Sequence, residues 1–237
     1  MGTVIEARGV SVLVPLPNRK PLLVVDDATI ALESGVSYAI SGKSGSGKTS
    51  LLSVLGLLNT AFTGSLTFRG RDVAAMSDRE LSWLRARRLG FVFQSYSLVP
   101  HLNALANVML PCVHVGARRP AALRLAKRSL AAVGLADRLD ALPVQLSGGE
   151  QQRVAIARAI VNSPDVVMAD EPTGALDTDT AADVMNLLVG QVADLGISLV
   201  IVTHDEEIAQ LCTRRYVMGH GRLRAVGPGP ERGAADE

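Results

Sequence analysis

A chain of 237 residues that is 48% hydrophobic but only 3% aromatic can bury one α/β domain, or one domain carrying a subdomain, around a core of Leu, Val, Ile and Ala. Its net charge of +1 supplies no strong field toward nucleic acid or an acidic surface. The two cysteines, Cys112 and Cys212, lie far apart without a C-x-x-C pairing, which argues for a reducing compartment and against a structural zinc site.

Residues 1–6 carry no signal-peptide pattern, and no uncharged apolar run approaches the ~20 residues that span a bilayer. The chain is therefore expected to be soluble and to reach a membrane only through a partner. Residues 4–10 and 22–32 read as strands around a polar, Pro-containing loop at 15–21. The apolar run 37–40 reads as a strand, and 50–58 as a helix. Residues 65–68 form a further strand that ends in a turn at Arg69 and Gly70. Ser77 and Glu80 make a capping-box pattern that starts a helix through about residue 86. A short buried strand, 90–93, stops at Gln94.

From 95 to 161 strand signals vanish, and Ala, Leu and Arg recur at helical spacing, as in 121–133. This segment reads as a helical insertion. Strand character returns at 165–170. Residues 179–195 form a long amphipathic helix, 198–203 another buried strand, and 216–226 a closing hairpin. Buried strands alternating with helices predict a mainly parallel sheet with helices on both faces. The Pro/Gly-rich residues 227–237 read as a loose tail.

Between the strand at 37–40 and the helix at 50–58 lie Gly42, Lys43, Ser44, Gly45, Ser46, Gly47, Lys48 and Thr49, followed by Ser50. They fit G-x-x-x-x-G-K-[ST], the phosphate-cradling loop. The glycines let backbone N–H groups converge, Lys48 brings a point charge for the β/γ-phosphates, and the Thr49 hydroxyl suits Mg²⁺. Helix following loop adds an N-terminus that attracts anions. The apolar strand 166–169 delivers Asp170 and Glu171 at its C-terminal edge, where α/β folds bind ligands. Asp170 is expected to hold Mg²⁺ through water and Glu171 to polarise an attacking water.

Leu146, Ser147, Gly148, Gly149 and Glu150 form a second anion site: a capped helix start with two glycines. One phosphate loop does not need a second phosphate-binding helix end in its own chain. A two-fold dimer, in which this helix faces the partner's nucleotide, is the economical solution.

With these stations in order, the chain resembles the nucleotide-binding subunit of an ABC transporter from about residue 4 to 226. Residues 146–150 are similar to that family's signature, 42–49 to its Walker A loop, and 166–171 to its Walker B strand. Gln94 resembles the Q-loop glutamine, Asp177 of the 174–177 stretch the D-loop aspartate, and His204 the switch histidine. The resemblance implies a P-loop NTPase core with an N-terminal antiparallel β-subdomain and an inserted helical subdomain: 1–94 with 162–226, and 95–161. It also implies an ATPase that closes as a homodimer around two MgATP. Lys48, Gln94, Glu171 and His204 are its catalytic set. Residues 42–50, Ser147, Gly148, Gly149 and Asp177 contact ATP, and Thr49, Gln94 and Asp170 organise Mg²⁺.

The stretch 90–107 is similar to the macrolide-exporter, lipoprotein-release and cell-division branch. That implies a permease on a separate chain, a peripheral place on the cytoplasmic face of the inner membrane, and no nucleic-acid partner. Tyr96, Leu98 and Leu102 are the candidate permease contacts. Two other outputs suit the same residues: force transmitted to periplasmic or cell-wall machinery without transport, and a soluble ABC-type ATPase acting on DNA or ribosomes. The sequence departs from the family at two points. Val14 stands where an aromatic ring stacks on adenine, which predicts weak base selectivity. Lys43 stands where Pro is frequent and is expected to point to solvent.

Overall fold

The computed structural model describes residues 2–15 and 20–226. The loose-tail expectation for 227–237 lies outside the described residues, as do residues 16–19 of the Pro-containing loop. In chain order the elements are β1 (Thr3–Val14), β2 (Leu22–Glu33), β3 (Ser37–Ser41), α1 (Lys48–Leu55), β4 (Thr63–Phe68), β5 (Arg71–Asp72), α2 (Asp78–Arg88), β6 (Leu89–Phe93), α3 (Ala104–His114), α4 (Arg119–Ala132) and α5 (Gly148–Ile160). Then follow β7 (Val166–Asp170), α6 (Thr178–Asp194), β8 (Ser198–Thr203), α7 (Glu206–Gln210), β9 (Arg214–Gly219) and β10 (Arg222–Val226).

Two sheets form. One is antiparallel, in the order β2-β1-β4-β5. The other runs β10-β9-β3-β8-β7-β6 and is parallel throughout except for the terminal β9–β10 hairpin. Its central strands are buried on both faces, so each reads as a continuous apolar run with two destinations. Tyr38, Ile40, Val166, Met168, Val200 and Val202 pack with α1, α2 and the antiparallel sheet. Their neighbours Ala39, Val167, Ala169, Leu199 and Ile201 pack with α3 to α7.

The first strand runs four residues past the expected end at residue 10. Register shifts between Ala7 and Val10, and again between Val10 and Val12, break the alternation there. Gly9, with φ of 60°, supplies the left-handed backbone for this bulge. Helix α1 starts two residues earlier than expected, on Lys48 itself, and α7 was not foreseen. Residues 104–160 hold α3, α4 and α5, joined by short 3₁₀ turns at Ala136–Arg138 and Pro143–Gln145, with no strand among the described residues.

What this fold does for chemistry follows from the register. Phe93 lies opposite Asp170, Asp170 opposite Val202, and Ile40 opposite Val202. Four parallel strands therefore end along one edge. The residues that follow them, Gln94, Glu171, His204 and the loop from Gly42, emerge side by side.

Candidate functional site

The loop after β3 has φ values of 147° at Gly42, 75° at Gly45 and 102° at Gly47. A Cβ on Gly42 would collide with the Met218 carbonyl, and one on Gly47 with that of Val24. Backbone shape and close approach thus both demand glycine at these two positions. Gly47 is the N-cap of α1 and offers no side-chain cap, so the first N–H groups of that helix stay open to an anion. Lys48 is buried, and its Nζ donates to the carbonyls of Gly42 (2.8 Å) and Lys43 (3.2 Å). The Lys43 side chain is exposed, as expected.

One cleft of about 690 Å³ is lined by Ser44, Gly45, Gly47, Lys48, Thr49, Ser50, Gln94, Glu171 and His204. Leu22 and Val24 complete its wall. Thr49 Oγ1 donates to Asp170 Oδ1 at 3.1 Å, tying the head of α1 to the end of β7. Burial pushes the Asp170 carboxyl up. The Thr49 hydrogen bond opposes this, and the neighbouring Glu171 charge adds to it. Glu171 has left-handed backbone, φ 44°, held by its N–H on the Val202 carbonyl at 2.9 Å. That conformation costs about 1 kcal/mol or more for a side-chain-bearing residue. His204 Nδ1 lies 2.9 Å from Glu171 Oε2 while most of its ring stays exposed. Gln94 lies over Gly174, where a Cβ would come within 2.7 Å of its Nε2.

The capped helix start at Ser147 is formed, and it stands away from the cleft. Ser147 caps α5: the Glu150 N–H donates to Ser147 Oγ (3.2 Å) and the Ser147 N–H to Glu150 Oε2 (2.8 Å). The backbone N–H of Ser147 is the main cause holding the Glu150 carboxyl below its ordinary range. Gly148 faces the Tyr96 hydroxyl and Leu176, and Gly149 faces the Thr180 methyl. None of the described residues lining the phosphate cleft comes from 147–149. Asp177 is also outside it. It caps α6, accepting the Thr180 N–H at 3.0 Å, and that bond lowers its carboxyl pKa.

Several residues the sequence did not single out hold these parts in register. Arg158, on α5, donates to the carbonyls of Ser97 (2.6 Å) and Tyr96 (2.9 Å). Both residues have left-handed backbone, φ 59° at Tyr96 and 49° at Ser97. The turn after Gln94 is thereby clamped against α5 at both ends: Tyr96 on Gly148, and its carbonyl on Arg158. Gln152, wholly buried, donates its amide to the Pro172 carbonyl at 2.5 Å, beside Glu171. Only its place within a helix was legible, since both partners are distant in sequence.

At the cleft wall, Val14 is paired with Leu22 across the β1–β2 hairpin, and it is Leu22 and Val24 that line the cleft. Leu98 packs against the core, and Tyr96 faces Gly148. Open apolar surface beside the clamped turn lies instead in a groove of about 480 Å³, between α2 and β6 on one side and α3 and α5 on the other. Phe91, Phe93, Leu110 and Pro111 form its apolar wall, with Arg85, Arg158 and His114 at its polar positions.

Residues 25–174 match the protein family described as ABC transporter. The macrolide export ATP-binding/permease protein MacB of Burkholderia pseudomallei is 42% identical over 219 residues. That match covers 92% of this chain but 33% of MacB, so the chain spans about a third of the length of such relatives. The ABC transporter ATP-binding protein YknY of Bacillus subtilis is 44% identical over 195 residues, covering 82% of this chain and 84% of YknY. Among solved structures, the dimeric ATP-binding cassette MJ0796 in a post-hydrolysis state bound to ADP and Pi superposes with a TM-score of 0.85. It is 32% identical, over 94% of this chain and 97% of that one. A phosphate loop, a strand-end carboxylate pair and a capped Ser-Gly-Gly helix therefore occur here on the matching fold, and the chain belongs to the ABC transporter family as an ATP-binding, ATP-hydrolysing cassette.

Proposed function

We propose that this cassette is the motor of a membrane transport complex. Two copies close around two ATP molecules, and their opening and closing drives a permease carried on a separate chain at the cytoplasmic face of the inner membrane. Export or extraction is the direction that similarity to MacB favours. One observation carries this reading: the phosphate cleft contains half of a triphosphate cage, and the Ser147 helix tip that would complete it lies outside the cleft. A second copy supplies that tip. The dimeric state of MJ0796 supports the same assembly.

In this mechanism the loop N–H groups and Lys48 grip the phosphates. Lys48 Nζ leaves the carbonyls of Gly42 and Lys43 for the β- and γ-oxygens. Thr49 Oγ1 and Asp170 Oδ1 are hard oxygen ligands that meet at 3.1 Å where α1 begins and β7 ends, which fits Mg²⁺. Among the described residues no cluster of three His, Cys, Asp or Glu side chains competes for a metal. Mg²⁺ held there would neutralise charge that develops on the phosphates. Gln94, at the cleft edge, is the third polar group beside that position. Glu171 takes a proton from the attacking water, and His204 touches the γ-phosphate and responds to its loss. The groove between α2 and α3 receives a helix of the permease, and the Arg158 clamp carries its movement to α5 and Gln94.

Among the described residues no helix is long and apolar enough to cross a membrane, so the permease must be another chain or another segment. Affinity purification from detergent-solubilised membranes, followed by mass spectrometry, tests this directly. A multi-span protein should co-purify, and recovery of only soluble or ribosomal partners would reject the transport reading.

The aliphatic wall at Leu22 and Val24 contacts the base without hydrogen-bonding it, so ATP and GTP should compete on nearly equal terms. Val14→Tyr adds a ring beside Leu22. Base–aromatic stacking is worth about 1–3 kcal/mol, so ATP should bind roughly tenfold tighter or better. Calorimetric titration of both chains reads the difference, and an unchanged affinity would leave the base on the Leu22–Val24 wall alone.

A further inference from the structure

The net charge of +1 conceals a strong segregation. Between residues 81 and 136 there are eight Arg or Lys and no Asp or Glu, while the rest of the chain holds sixteen cations against twenty-three carboxylates. Three of the eight have structural work. Arg85 donates to the Leu57 carbonyl, Arg87 to that of Asn162, and Arg88 pairs with Asp165. The other five, Arg118, Arg119, Arg124, Lys127 and Arg128, are exposed. None of them has a hydrogen bond or ion pair among the described residues.

These five sit on or just before α4, and they work against it as a helix. Arg118 is the N-cap and provides no side-chain cap, and the first turn contains no acid. Cations at a helix N-terminus oppose its dipole. Arg124 and Arg128 are like charges four residues apart, an arrangement that destabilises helices. Helices α2, α5 and α6 each start on a Ser or Asp cap with an acid in the first turn, and α3 starts on an Asn cap with no cation beside it. Ala122, Ala126 and Leu130 give α4 its buried stripe, which leaves Arg124, Lys127 and Arg128 together on the outer face. An ordinary solvated helix face mixes signs. A face that breaks local rules with one sign throughout is matched to an external anion.

We infer that this face binds the anionic headgroups of a phospholipid membrane. Helices α2, α3 and α4 pack in succession. The two that flank the apolar groove each leave a large apolar side chain in solvent: Trp83 is 50% exposed and Val113 is 59% exposed. The cations follow directly on the end of α3, whose His114 lines the groove. A basic helix face packed against α3, which holds the exposed Val113, with the exposed Trp83 on the next helix along, is the composition of a surface that lies on a charged bilayer. A single-stranded nucleic acid would ask for aromatic platforms within the basic face, and α4 carries no aromatic residue. The contact would set the cassette's orientation at the membrane before any protein partner engages.

Sedimentation of the full chain with vesicles tests this without nucleotide or permease, so its failure is independent of the motor reading. Vesicles of phosphatidylcholine containing phosphatidylglycerol should carry the protein down at low ionic strength, pure phosphatidylcholine vesicles should not, and added salt should release it. Replacing Arg124, Lys127 and Arg128 together by Gln should cut the partition coefficient about a hundredfold, since each cation near such a surface contributes about fivefold. The ATP-induced rise in melting temperature should be unchanged in that variant. A control with Arg8→Gln and Arg224→Gln, exposed cations elsewhere, should partition like the parent. Equal partition by the α4 variant, equal loss in the control, or no binding to anionic vesicles while the chain is retained by an acidic polypeptide or polynucleotide would each overturn the inference.

Discussion

Glu171→Gln is expected to lower kcat by about 10²–10⁴, the usual contribution of a positioned general base. Binding of ATP should stay within about twofold, so that nucleotide becomes a lasting link between two copies. The substitution is nearly isosteric. It keeps the left-handed backbone at this position and leaves an amide within reach of His204, at the 2.9 Å now spanned to Glu171. What it removes is the ability to accept a proton from water. Asp170 is placed for a different role: its Oδ1 is engaged by Thr49 at 3.1 Å, at the position proposed for Mg²⁺. Phosphate release measures the first effect and light scattering in MgATP the second. Normal turnover would place the base elsewhere. Lost turnover in a chain that stays monomeric would keep Glu171 as the base and reject the closed dimer.

Much of this site could be read before any coordinates, and the reason is physical. The strands that carry it are buried on both faces, so they appear as short apolar runs with sharp polar ends, and each end is a candidate site residue: Gly42, Asp170 with Glu171, His204. The phosphate loop and the α5 cap are local devices whose partners lie within eight residues. Long-range relations were hidden. That Gln152 reaches Pro172, that Arg158 secures Tyr96 and Ser97, and that Gly148 faces Tyr96 depend on how α5 crosses the sheet, which no local pattern records. That Leu22 and Val24 face the cleft was also hidden, because the hairpin register that turns them there is set by bulges in β1.

Charge misled for a different reason. A sum over 237 residues averages a strongly basic stretch against an acidic remainder, and near-neutrality was taken to exclude a charged partner surface. The physically relevant quantity is charge within a Debye length, about 8–10 Å at physiological salt, and the charges on α4 itself are all positive. The same stretch adjoins the apolar groove, so this side of the cassette differs in kind from the side that carries the phosphate loop.

The dimer itself is best tested through the helix tip. Ser147→Arg removes a cap worth about 1 kcal/mol, which should cost only about 2–4 °C in melting temperature for a chain of this size. Because residue 147 is absent from the phosphate cleft, the variant should bind ATP like the parent. Its ATPase should nevertheless fall by at least about a hundredfold, the scale of losing one positioned donor to a transferring phosphoryl group. Lys48→Ala should be inactive for the opposite reason, through a cleft that no longer grips nucleotide. Mixing the two inactive chains then separates trans from cis completion. In a mixed dimer the Ser147→Arg chain contributes an intact cleft and the Lys48→Ala chain an intact helix tip, so one of the two sites is whole. Half of the dimers in an equal mixture are mixed, and activity should return to about a quarter of the parent's if sites fire independently. A mixture as inactive as its components would mean that each helix tip serves its own chain's nucleotide, and the closed two-fold assembly would have to be abandoned.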